Sequence, residues 1–176
     1  MRLNVLFIGR FQPIHFGHME IIKEFLPRAQ TFTLVIGSAQ ESHTLRNPFT
    51  AGERFGMIKK ALADENLTKV DIIPVVDIYR YNVWVSHIES FVPPFDTVIS
   101  NNPLTRRLFC ERGYEVVEPK MYDRSRYSGE EIRRRIIESE SWQDLVPKSV
   151  VRIIESIEGT ERVRVCATRK QGERNE

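Results

Sequence analysis

Residues 3–26 read LNVLFIGRFQPIHFGHMEIIKEFL. The apolar run from Leu3 to Ile8, closed by Gly9, predicts a short buried strand. From Gly17 onward, Met19, Ile21, Ile22, Phe25 and Leu26 recur with a helical period until Pro27 stops them. The order is buried strand, polar loop, helix, and the rest of the chain repeats it.

Residues 31–36, TFTLVI, give a second strand, closed by Gly37. The polar loop SAQESHTLRNPFT leads into a helix over 51–63. A third strand over 70–76 precedes a helix over 83–91, with Trp84, Ile88 and Phe91 on one face. After Pro93-Pro94 come a strand over 97–100, a helix over 104–111 and a short strand over 114–117. Helices over 130–139 and 148–157 close the pattern. Strands alternating with helices at this spacing imply an α/β fold with a parallel sheet. Such sheets bind ligands beyond the carboxyl ends of their strands, where the strand order reverses. Gly9-Arg10, Gly37-Ser38 and Ser100-Asn101-Asn102 all fall at such ends. A domain over 1–158 follows, with 159–176 as a polar tail. The stretch RVRVCATRKQGERNE within it is expected to be a solvated, frayed end.

The 176 residues, 41% hydrophobic and 28% charged, suit one domain with its own core. Lys and Arg number 26 against 24 Asp and Glu, a net charge of +2, which disfavours a general nucleic-acid binder. Cys110 and Cys166 lie far apart with no CxxC spacing, so neither a disulfide framework nor a cysteine zinc site is expected. A reducing cytoplasm is the expected compartment. No apolar run approaches the ~20 residues of a membrane span, and the N-terminal one is too short for a signal peptide.

His15 and His18 stand three apart, a spacing that can share one helix face and hold a metal. Zinc needs a third ligand, and no Asp, Glu or Cys nearby is suitably spaced, since Glu20 is displaced around the helix. A phosphate explains more of the stretch. Gly17 lets a ligand approach the backbone N–H groups and the positive end of the helix dipole. The two histidines add donors, Arg10 adds a planar fork suited to phosphate, and Pro13 stiffens the loop. Further on, Ser128 and Glu131 read as a capping box that opens a helix. Arg133, one turn in, could reach a phosphate across from the first loop, although the three arginines of EEIRRR also fit a solvated face. For Trp84 the residues alone leave two readings open: a core position, or an indole face for a flat cationic ring.

GRFQPIHFGH resembles the signature of the nucleotidyltransferase superfamily whose N-terminal motif is (H/T)xGH. Its longer form is most similar to archaeal-type nicotinamide-nucleotide adenylyltransferases. It is also similar to the adenylyltransferase half of a bifunctional bacterial regulator, whose P-loop kinase motif GxxxxGK[ST] this chain lacks. GSAQESHTLRNPFTAGER, DIYRYNVWVSHI, VISNNPLTRRLF and DRSRYSGEEIRRR extend the resemblance over most of residues 3–157. The last is similar to the superfamily's ISSTxxR motif. It departs where Gly129 and Glu130 replace small hydroxyl residues, so only Ser128 and Arg133 carry over cleanly.

The resemblance implies a Rossmann-like nucleotidyltransferase fold with a C-terminal helical segment. It implies catalytic roles for His15, His18, Arg46 and Arg133. ATP contacts are implied at Gly9, Arg10, Phe11, His15, Gly17, His18, Arg46, Asn101, Tyr127, Ser128 and Arg133. A nicotinamide-mononucleotide (NMN) pocket is implied at Arg10, Phe11, Ser38, Asn82 and Trp84. The register around Trp84 leaves Asn82 or Tyr81 as its neighbouring contact. The implied reaction joins ATP, with Mg²⁺ on its phosphates, to NMN and yields NAD and pyrophosphate. No protein metal site is implied, and a homo-oligomer, hexameric in the archaeal relatives, is expected. The rivals are a related transferase acting on a flavin, pantetheine or polyol phosphate, a non-catalytic NAD or ATP sensor, and an RNA-charging fragment. The last is disfavoured because the KMSKS loop is absent.

Overall fold

A computed structural model describes residues 3–120, 123 and 125–172. The core is a sheet of five strands: β1 (Leu3–Gly9), β2 (Ala29–Ile36), β3 (Asp71–Pro74), β4 (Thr97–Ile99) and β5 (Glu115–Val117). All pairs are parallel and the order is β3-β2-β1-β4-β5, so the chain reverses its direction of travel between β1 and β4. β1 pairs with β2 through Val5–Phe32 and Phe7–Leu34, and with β4 through Val5–Thr97 and Phe7–Ile99.

Both faces of the sheet are buried, as a parallel sheet requires. Val5 and Phe7 of β1 join Phe32, Leu34 and Ile36 of β2 in the larger core. Leu6 and Val35 point the other way and meet Trp84, Val98 and Phe109. The larger core is closed by α1 (Phe16–Phe25), α2 (Ala51–Asp64), α5 (Gly129–Ile137), α6 (Lys148–Ser156) and α7 (Gly159–Gly172). The smaller is closed by α3 (Tyr81–Glu89) and α4 (Pro103–Glu111). Pro27 ends α1 by turning it into a short 3-10 segment, Leu26–Arg28. α2 starts with a complete capping box, in which Thr50 Oγ1 accepts from Glu53 N–H and the Glu53 carboxylate accepts from Thr50 N–H.

Three expectations are corrected. The frayed end after Gly159 is a helix through Gly172, while residues 173–176 lie outside the described ones. Val163 is fully buried, Arg162 grips the Glu53 carboxylate at 2.7 and 3.0 Å, and Arg164 Nε donates to Ile136 O. Two small buried side chains, Val163 and Cys166, and two arginine anchors hold this helix, too little apolar period for a sequence pattern to announce it. The expected capping box at α5 is half formed. Ser128 Oγ accepts from Glu131 N–H at 3.1 Å, but the Glu131 carboxylate turns forward to Arg134 and Arg135 instead of back. Phe91 does not share the buried face of Trp84 and Ile88, because α3 ends at Glu89 and Phe91 is exposed.

Candidate active site

The loop after β1 runs between the sheet and the start of α5. Phe11 there has a left-handed backbone, φ 49°, and a buried ring. Gln12 anchors the loop: its side-chain amide donates to Phe49 O and accepts from Phe49 N–H, both at 2.9 Å. Its own carbonyl accepts from Arg133 Nη1 at 2.7 Å, so one side of that guanidinium is fixed.

His15 is the N-cap of α1 and makes no side-chain cap bond, so no side chain closes the helix's first N–H groups. Its ring stacks on His18, centroids 3.7 Å apart and planes 24° from parallel. The Nδ1 atoms of both rings are buried and have no hydrogen-bond partner among the described residues. Burial pushes the His15 imidazole down to about 3, helped by the charge of Arg133. Burial, and then His15, pushes His18 well below its ordinary value. Both rings are therefore neutral near pH 7, each with a donor and an acceptor nitrogen. Stacking this close requires a missing side chain: a Cβ on Gly17 would stand 3.1 Å from Tyr127 Cβ and 3.2 Å from the His15 ring.

A cavity of about 260 Å³ opens above these groups, lined by Arg10, Phe11, His15, Gly17, His18, Asn101, Tyr127, Ser128 and Arg133, among others. It lies where the loops after β1 and β4 diverge, the position expected for a ligand in this topology. A second cavity of about 460 Å³ adjoins it, sharing Arg10, Glu130 and Arg133 and adding Arg46. Arg10 and Arg133 are held below the usual arginine range, Arg133 to about 10, first by burial. The charge of Arg46 lowers both as well, so the three guanidinium groups face a common space. With neutral imidazoles beside them, this arrangement suits a polyanion and not a bare cation. Among the described residues, no cluster of three His, Cys, Asp or Glu is placed to hold a metal ion.

The structure thus brings together most of the residues expected at the nucleotide. Gly9 stands behind the loop, its carbonyl accepting from Gly37 N–H at 2.9 Å. Ser38, Asn82 and Trp84 do not line either cavity. Ser38 has φ 49° and donates to Asp77 Oδ2 at 2.6 Å, and Asn82 is exposed on the first turn of α3. Trp84 is buried against Phe109, centroids 5.7 Å apart, which favours its core reading without removing the other.

Sequence reasoning missed Arg54, which is fully buried at 0% exposure. Its Nη1 donates to Arg10 O and Gly37 O, both at 2.9 Å, and its Nη2 to Ser38 O at 3.0 Å. One guanidinium ties the loop after β1 to the loop after β2. Its signal was the T-x-x-E-R string, a capping box followed by a cation facing inward, which looks like any helix start until the strands are placed. Gln12 lies within GRFQPIHFGH, but nothing in that string announces the pairing of its amide with Phe49, 37 positions away.

Residues 6–135 match the family described as cytidylyltransferase-like. The nicotinamide-nucleotide adenylyltransferase of Archaeoglobus fulgidus is 50% identical over 167 residues, covering 92% of this chain and 96% of its own. That of Methanococcus aeolicus is 49% identical over 162 residues, covering 92% and 94%. In three dimensions the chain resembles a bifunctional NMN adenylyltransferase/ADP ribose pyrophosphatase from Francisella tularensis, solved with AMP and a manganese ion. The TM-score is 0.75 at 21% identity, over 94% of this chain and 52% of that one, so this chain spans about half its length. No helix among the described residues is long and apolar enough to cross a membrane. A family match across the sheet and both cavity loops, together with archaeal relatives half identical over almost their whole length, means that the chain belongs to the cytidylyltransferase-like family, within its nicotinamide-nucleotide adenylyltransferases.

Proposed function

We propose that this protein transfers the adenylyl group of ATP to NMN, giving NAD and pyrophosphate. The observation that carries this reading is the cage itself. Two stacked neutral histidines, their Nδ1 atoms without a partner among the described residues, line a cavity together with Arg10 and Arg133. A phosphate oxygen of the mononucleotide attacks the α-phosphorus of ATP. The bond from that phosphorus to the β-bridging oxygen breaks, and pyrophosphate leaves with the bonding pair. The nucleophile is already an anion near neutral pH, so no general base is needed. The work left to the protein is alignment and stabilisation of charge on the phosphate oxygens. His15 and His18 donate N–H groups there, Arg133 presents the edge that Gln12 does not hold, and Arg10 and Arg46 face the outer phosphates.

ATP enters as its Mg²⁺ complex, the metal being carried by the nucleotide; the Glu130 carboxylate is the one acidic side chain bordering the first cavity. Ser38, Asn82 and Trp84 would form the mononucleotide side, supported by the place of Ser38 in the loop after β2 and of Asn82 and Trp84 on α3, the helix that follows β3. A homo-oligomer, hexameric as the resemblance implies, and a cytoplasmic location complete the reading. Sedimentation as a monomer would remove the first of these.

The test is pyrophosphate release from ATP and Mg²⁺ with a panel of acceptors. Turnover with nicotinamide or nicotinate mononucleotide supports the reading. Turnover with a flavin, pantetheine or polyol phosphate alone replaces the acceptor, and nucleotide binding without pyrophosphate release makes the protein a sensor. His18→Ala should lower kcat sharply in a folded protein, and wild-type turnover in that variant would remove His18 from the chemistry.

A further inference from the structure

The first turn of α5 carries adjacent carboxylates, Glu130 and Glu131, with different surroundings. Glu131 is held by Arg134 and Arg135 at 2.8 Å, and those hydrogen bonds, Arg134 first, pull its carboxyl down to about 2. Glu130 has no such pairing among the described residues. It is exposed and borders both cavities, together with Arg10 and Arg133. Its charge acts through space on both guanidinium groups.

The remaining charges near the second cavity largely cancel. Arg134, which also borders it, is bound to Glu131, Glu138 and Glu140. A ligand in these cavities therefore meets Arg10, Arg46 and Arg133, with Glu130 as the carboxylate not committed to a neighbour. A cage shaped only for anion affinity would have no negative group there.

We propose that Glu130 is a specificity-determining residue, making the cage select a polyphosphate that carries a divalent cation over the same polyphosphate without one. The proposal rests on the polyphosphate reading of the cage. Repulsion between Glu130 and the ligand grows with the ligand's negative charge. A divalent cation removes two of those charges and brings a positive centre within reach of the carboxylate. The metal-free ligand feels the full repulsion and the metal-bound one little of it. The arginines supply affinity and Glu130 sets which charge state benefits from it, a discrimination by repulsion.

The test uses Glu130→Gln, of the same shape, and Glu130→Thr, both at an exposed position that leaves the core untouched. Calorimetry at low ionic strength would give Kd for ATP and for inorganic pyrophosphate, each with excess Mg²⁺ and with a chelator. Both variants should bind the metal-free forms about threefold to tenfold tighter than wild type, with the magnesium forms changed much less. The difference should shrink in high salt. Equal tightening of both forms, or no change in their ratio, would overturn the selectivity. Failure of the wild-type protein to bind ATP or pyrophosphate in any form would overturn the cage reading, and the proposal with it.

Discussion

Arg54→Met is the perturbation that best separates packing from polar architecture. Methionine fills much of the arginine volume, so the chief loss is polar. The carbonyls of Arg10, Gly37 and Ser38 lose donors at 2.9, 2.9 and 3.0 Å. Thr50 O keeps its backbone partner, because Arg54 N–H still donates to it at 3.0 Å. An under-satisfied acceptor costs about 1 kcal/mol or somewhat more in a partly buried setting, so the set amounts to about 3–4 kcal/mol. Relief from burying a cation offsets part of that, since burial, and then the charge of Arg10, holds Arg54 down to about 10. A net loss of about 2–3 kcal/mol follows, a fall in Tm of roughly 5–10 °C for a chain of this size. Urea titration followed by circular dichroism would read it. The same variant should raise KM for ATP, because the Arg10 loop loses its tie to the loop after β2. Arg54→Lys should recover only part of either effect, since a point donor cannot span carbonyls set apart around a planar fork. A stability loss below about 0.5 kcal/mol in Arg54→Met, outside what the unmade bonds allow, would refute the reasoning.

The other predictions bear on the cage and its flanks. Gly129→Ala places a Cβ 2.9 Å from Gln12 O and 2.9 Å from Arg133 Nη1. The arginine tip can swing but the backbone carbonyl cannot, so KM for ATP should rise with about 1–3 kcal/mol of stability lost. Gly56→Ala, with nothing within 4 Å on a helix, should instead gain up to about 1 kcal/mol in the same titration. His15, lowered from 6.5 to about 3, binds its proton in the unfolded chain first. Its contribution is therefore complete above pH 6.5 and lost as pH falls towards 3, at up to about 1.4 kcal/mol per pH unit. His15→Gln should flatten the stability profile over that window, and an unchanged slope would show that His15 does not titrate between the two states. Trp84→Ala should cost about 3–5 kcal/mol through its packing on Phe109. Trp84→Phe should keep the fold, and it should raise KM for NMN but not for ATP if the indole also holds the pyridine ring.

The architecture was legible because each strand of a parallel sheet is apolar on both faces and each is followed by a helix, so β1, β2 and their helices announce themselves. The lining of the first cavity was legible for a related reason. Its histidines, Gly17 and Arg10 fall within one loop, where chemistry and spacing are read together. What escaped depends on contacts between distant segments. Arg133 reaches Gln12 across 121 positions, and Arg54 reaches Arg10 across 44. Neither spacing carries a period. Helix α7 escaped because one of its anchors is Arg162 clasping Glu53 across 109 positions, a pairing that composition reads as solvated charge. The histidine pair shows most clearly what folding adds. In the sequence His15 and His18 are ordinary titratable groups three apart. In the fold they are stacked, buried and neutral, because burial first, then Arg133 beside His15 and His15 beside His18, makes a proton on either ring unfavourable until an anion arrives. Binding of a polyphosphate and uptake of a proton by this pair are therefore linked, and each should favour the other.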